Sequence, residues 1–123
     1  MKESLAPGIT HEMTVTITPE MGVTHLGTGP GVLSTPNMIQ KMEQTCLEGV
    51  ERYLDGNEQT VGTMVHIWHR APVSVGGEVR YTSKLIERDR KRLLFEVEAT
   101  SAGKVIGDGT HERFVIDMDR FGG

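Results

Sequence analysis

Only one stretch of the chain, Thr35 to Gly56 (TPNMIQKMEQTCLEGVERYLDG), repeats its apolar residues with the period of a long helix. It carries start and stop signals. Thr35 is a favourable N-cap, Pro36 suits the first helical position, and Gly56 suits the residue just past the end. On a helical wheel Ile39, Met42, Cys46, Leu47, Val50, Tyr53 and Leu54 share a face, opposite Gln40, Lys41, Gln44, Glu48, Glu51, Arg52 and Asp55. Glu43 breaks the sorting, because it falls inside the apolar stripe between Ile39 and Leu47. A carboxylate turned toward a core must be paired, neutralised or used in chemistry.

The rest of the chain reads as strands and turns. Residues 1–8 form a loose lead-in, and ITHEMTVTIT (9–18) alternates as a half-buried strand with Ile9, His11, Met13, Val15 and Ile17 on one face. MGVTHLG (21–27) is compatible with a short turn of helix, and GTGPG (27–31) reads as a flexible loop leading into the helix. DGNE (55–58) is turn chemistry. Four candidate strands follow, at 60–70, 76–87, 91–101 and 105–118. Their breaks, APVSVGG, RDR and AGK, are short enough for antiparallel neighbours. The third strand alternates most cleanly, with Leu93, Phe95, Val97 and Ala99 against Arg92, Glu96 and Glu98.

This order predicts a single α+β domain over residues 1–123, with a curved antiparallel five-stranded sheet wrapped around one long helix. One helix cannot cover both faces of such a sheet, and Met64, Trp68 and Tyr81 suggest further buried sheet surface, which favours a dimer.

Charge and cysteine usage narrow the function classes. Seventeen acidic against thirteen basic residues give a formal charge of −4, and no basic cluster offsets it, so a nucleic-acid partner is not expected. Arg88, Arg90, Lys91 and Arg92 sit beside Glu87 and Asp89 at a hairpin turn and read as a solvated turn. Cys46 stands alone on the apolar helix face, so the expectation is a buried, inert thiol in a cytoplasmic protein. With neither a leader pattern nor a long apolar run, no membrane association is expected.

On the strand after the helix, alternation places Val61, Thr63, Val65, Ile67 and His69 on the core face, with Gly62, Met64, His66, Trp68 and Arg70 opposite. The two imidazoles of HIWH therefore diverge, and no cluster with ligand spacing occurs, so no metal is predicted. Three polar groups remain to converge in an apolar setting: an inward carboxylate (Glu43), an inward imidazole (His69) and a hydroxyl at a helix start (Thr35). Singly, Thr35 reads as a cap, His69 as a hydrogen-bonded core histidine and Glu43 as a carboxylate paired with an arginine such as Arg113. Together they have the composition of a hydrolytic site.

Several stretches carry a resemblance to a known family. They are Met42-Glu43, TVGT (60–63), His69, the P-x-x-V-G of 72–76, KRLLFEVEA (91–99) and IGDGTHERFVI (106–116). In these the chain resembles the hotdog-fold thioesterases, in particular the group related to fluoroacetyl-CoA thioesterase. The resemblance implies a hotdog fold and hydrolysis of an acyl-CoA thioester, with Thr35, Glu43 and His69 as catalytic residues and Gly62 and Arg113 near the substrate. It also implies a homodimer with active sites at the subunit interface and no cofactor, CoA entering as part of the substrate. Higher assembly is open. The fluoroacetyl-specific enzyme has a longer segment before the helix, with aromatic residues over the acyl group. Here the connection is GTGPGVLS (27–34), which has none.

Two other classes compete. A non-catalytic acyl-thioester binding module would bind acyl-CoA without releasing thiol. A hydratase on the same fold would ordinarily want an Asp/His pair on a helical segment, which this sequence lacks.

Overall fold

The computed structural model describes residues 1–27 and 29–120. Strand β1 (Thr10–Thr16) is followed by two short strands, β2 (Gly22–Val23) and β3 (Val32–Leu33), and then by helix α1 (Thr35–Val50). Four long strands complete the chain: β4 (Glu58–His69), β5 (Glu78–Asp89), β6 (Arg92–Ser101) and β7 (Lys104–Asp117). Strands β1, β5, β6, β7 and β4 pair in that order into one antiparallel sheet. The helix lies across its inner face, most extensively against β5 and β1. Leu93, Phe95, Val97 and Ala99 of β6 meet it there with Val79, Tyr81 and Leu85 of β5. The five-strand, one-helix architecture read from the sequence is the one observed.

Strand order departs from expectation. The segment 71–77 is no hairpin between neighbours. It carries the chain from β4, at one edge, to β5, beside β1 at the other. On the way it binds other elements: Leu33 N–H donates to Val73 O at 2.8 Å, and Val75 N–H to Gly31 O at 2.9 Å. Arg70 N–H donates to Ile106 O at 2.7 Å. These bonds clamp β3, and with it the start of α1, against the end of β4. Gly27, Gly29, Pro30 and Gly31 accordingly lie between the paired strands β2 and β3 rather than in a free connection; Thr28, also part of GTGPG, lies outside the described residues.

The helix boundaries also move. Ser34 is the N-cap, its Oγ accepting from Asn37 N–H at 3.2 Å, so Thr35 opens the helix and Pro36 takes the second position. Thr35, released from capping, is free to face the other way. The α-helix stops at Val50, one 3₁₀ turn follows over Glu51–Tyr53, and Leu54 is extended, so Gly56 does not terminate it. The buried face is rotated slightly from the wheel. Met38, Met42, Thr45, Cys46 and Val50 are buried, while Ile39, Glu43 and Leu47 form a half-buried row beside them. Replacing Ser34 by Ala should lower unfolding free energy by about 1 kcal/mol through loss of the cap. Urea denaturation measures this, and Thr35→Ala should lack that component.

Two further expectations change. The lead-in is anchored: Leu5 is fully buried, Gly8 N–H donates to Leu85 O at 2.8 Å, and the Arg88 guanidinium donates to Leu5 O at 2.7 Å. Arg88 is thus a staple for the N-terminal segment rather than part of a solvated turn. Tyr81 belongs to the helix-side core, whereas Trp68 and Met64 are exposed on edge strand β4.

Candidate active site

Strand β4 positions most of the polar groups, and a bulge decides how. Gly62 pairs with Arg113 and Met64 with Glu112, leaving Thr63 as the extra residue. A bulge resets the side-chain alternation. Before it, Thr60 and Gly62 face inward; after it, Val65, Ile67 and His69 do. Val61 and Thr63 are therefore not core residues, contrary to the strict alternation. The bulge is held from outside: Thr63 Oγ1 donates to Glu112 Oε1 at 2.7 Å, and Arg92 Nε donates to Glu112 Oε2 at 2.6 Å. These two donors, the threonine first, hold the Glu112 carboxyl below its usual range.

One group of residues gathers at the start of α1. Thr35 Oγ1 lies 2.8 Å from His69 Nδ1. His69 Nε2 is buried and has no partner among the described residues. A buried imidazole nitrogen left unpaired costs about 1–3 kcal/mol, which is tolerable where a ligand completes the bond. Pro36 has no N–H and that of Asn37 is taken by Ser34. Of the first three amides, Thr35 N–H remains to meet an incoming acceptor at the positive end of the helix. Both side chains line a cavity of about 460 Å³, walled also by Val23, His25, Leu26, Pro36 and Pro72.

A second group lies two turns down the helix. Glu43, its side chain 38% exposed, has Oε2 3.7 Å from Arg113 NH1 and 3.9 Å from His111 Nε2. Gly62 makes room for it: a Cβ there would stand 2.7 Å from that same Oε2. Arg113 is buried and bound within the chain, Nε to Thr60 Oγ1 at 2.8 Å and NH2 to Thr60 O at 2.9 Å. NH1 lies 3.1 Å from His111 Nε2. Burial lowers the proton affinity of both Arg113 and His111 below the ordinary values. Cys46, beneath this group, has its thiol pushed up to about 12 by burial, so it is inert as expected.

Thr35 and His69 are thus brought together, as are Glu43, Gly62 and Arg113. The two groups are about 12 Å apart along the helix axis, eight residues at roughly 1.5 Å each. His111 and Thr60 were missed from the sequence. His111 is two residues before Arg113, and the period of a strand places both on one face. That signal was present in GTHER.

The sequence profile of a family described as fluoroacetyl-CoA-specific thioesterase matches residues 9–119. The chain belongs to that family. A fluoroacetyl-CoA thioesterase from Streptantibioticus cattleyicolor is 35% identical over 92 residues, 75% of this chain and 66% of that protein. The match therefore spans just under two thirds of the curated relative. Among solved structures, a variant of fluoroacetyl-CoA-specific thioesterase in complex with fluoroacetate and CoA is 30% identical, with a TM-score of 0.87. That comparison covers 95% of this chain and 99% of that one. A thioesterase superfamily member from Thermus thermophilus superposes with a TM-score of 0.85 at 26% identity, covering 94% and 87% of the two chains. The family accounts for the hotdog arrangement of sheet and helix.

Proposed function

We propose that this member of the thioesterase family hydrolyses the CoA thioester of a small acyl group. The carrying observation is the Thr35–His69 pair at the head of α1, opening on a cavity of about 460 Å³. Membership of the family, with a relative crystallised with fluoroacetate and CoA, supports the substrate class. The cavity wall contributes Val23, Leu26, Pro36 and Pro72 and, among the described residues, no Phe, Tyr or Trp. That suits a short acyl group without selecting fluoroacetyl over its neighbours.

In this reading the thioester carbonyl sits at the Thr35 N–H, where the amide and helix dipole favour developing negative charge. Thr35 and His69 hold and exchange protons at the thioester, and Glu43 supplies the carboxylate, as nucleophile or as base to a water. Gly62 and Arg113 serve Glu43 rather than the acyl group. Along the helix, Glu43 stands about 12 Å from the Thr35 of its own chain. A homodimer resolves this, with Thr35 and His69 of one subunit facing Glu43 of the other. Edge strand β4 supports the same arrangement. It is twelve residues long, unpaired on one side among the described residues, and exposes Met64, Val65 and Trp68. An edge of that length and composition invites a second strand.

No helix of the described residues is long and apolar enough to cross a membrane. With the lone cysteine buried, a cytoplasmic location fits.

Thiol release from a panel of acyl-CoAs tests the activity. Small acyl groups should be turned over, Thr35→Ser should retain much of the rate, and Thr35→Ala should lose most of it. Tight acyl-CoA binding without thiol release would favour a binding module instead. Sedimentation should give twice the monomer mass.

A further inference from the structure

We propose that His111 is a positioning residue for Glu43, acting through Arg113, and that it works only as the neutral imidazole protonated on Nδ1. The inference rests on the reading of Glu43 as the reacting carboxylate.

The bonds around His111 leave one protonation state. Its side chain is fully buried. Nδ1 lies 2.8 Å from Met64 O, a carbonyl that only accepts, so Nδ1 carries a proton. Nε2 lies 3.1 Å from Arg113 NH1, a guanidinium nitrogen that only donates, so Nε2 is bare and accepts. Charge on the ring would forfeit the second bond and face Arg113 with another cation. Burial opposes that charge as well. The other groups facing the ring are Glu43 from α1 and Phe95 from β6, whose ring stacks at 6.4 Å; Glu112, on the opposite face of β7, acts on it only through its charge.

The consequence reaches Glu43. Thr60 takes the Nε and NH2 sides of the Arg113 guanidinium, and His111 takes NH1. The plane is held on three nitrogens, and NH1 is left aimed at Glu43 Oε2, 3.7 Å away. His111 itself offers Glu43 no proton, since the nitrogen 3.9 Å from Oε2 is the bare one. The imidazole therefore acts on the carboxylate only by aiming the arginine. Met64, the anchor, is the first residue after the β-bulge, so the register shift that turns Gly62 inward also presents the carbonyl that orients His111.

The test separates aiming from mere filling. Asn at 111 can still donate to Met64 O but does not reach Arg113, whereas Gln places an acceptor near the Nε2 position. His111→Asn should lower kcat by about tenfold or more with KM little changed, as expected for a misplaced catalytic group. His111→Gln should recover most of that loss. Equal kcat in the two variants, or a fall in Tm with kcat intact, would overturn the proposal. The deficit should also vanish when Arg113→Met is already present, because the two side chains act in series.

Glu43→Gln, assayed alongside, distinguishes the failures. If it is inactive while His111→Asn turns over like the parent, this inference alone is wrong. If it stays active, the assignment of Glu43 has failed first. Should neither His111 variant fold, nitrogen NMR of the unmodified protein decides. His111 should remain the Nδ1–H tautomer over roughly pH 6 to 8, and an Nε2–H tautomer would refute the proposal.

Discussion

Glu43→Gln is expected to cut thioester hydrolysis by about a hundredfold or more while leaving the fold intact. The amide keeps the size and much of the polarity of the carboxylate, so the row Ile39, Glu43, Leu47 keeps its packing. What disappears is the lone pair that attacks the carbonyl or takes a proton from water, and the negative charge facing Arg113 at 3.7 Å. Arg113, the buried charge left facing the amide, keeps its bonds to Thr60 and His111, which limits the cost to stability. Thiol release under saturating acyl-CoA, read with a thermal melt, gives both quantities. Turnover near the parent rate would remove Glu43 from the chemistry and return it to the role of a structural partner for Arg113.

Gly109→Ala should be the most destabilising small substitution in the sheet, at about 3 kcal/mol or more. Gly109 lies in β7 opposite Ile67, with φ at +156°, a backbone region that side chains rarely enter. A Cβ there would stand 2.0 Å from His66 O and 2.7 Å from Ile67 Cα. Both are backbone atoms of β4, so no rotamer change relieves the clash. The strands must separate where β4 delivers His69 to Thr35, and activity should fall along with stability. Urea unfolding measures the loss, and a change below about 1 kcal/mol would mean that β7 relaxes there at little cost.

Both predictions depend on β4, and β4 is where sequence pattern and folded chain part company. The alternation of 60–70 assigns an inward face through Val61, Thr63 and Val65. One inserted residue at Thr63 exchanges the faces on its N-terminal side and brings Gly62 beside Glu43. Nothing within TVGTMV announces that insertion. It is held by Glu112, on another strand, whose carboxylate accepts from Thr63 and Arg92. Of the partners that bind Arg113, His111 shares its strand and its face, as the spacing in GTHER allows. Thr60 reaches it from β4, and the pairing of β4 with β7 is written in neither segment.

Legible in the residues themselves were the single helix, the four long strands after it, and the clean faces of β6. So were the inert Cys46 and the inward turn of His69. Each of these follows from local periodicity, which one segment carries alone. Ser34 over Thr35 as the cap needed only a shift of one residue, but the choice fell to β3, which fixes where the chain enters the helix.

Glu43 was conspicuous from the start as a carboxylate in an apolar stripe, and the pattern of the helix alone singled it out. Its neighbours were settled elsewhere. Strand order, the crossover at 71–77 and the bulge at Thr63 place Gly62, His111 and Arg113 around it. Those are long-range decisions, made by hydrogen-bond registry between segments far apart in the chain. Periodicity reports which way a side chain leans from its own backbone, and only the folded sheet determines what stands in front of it.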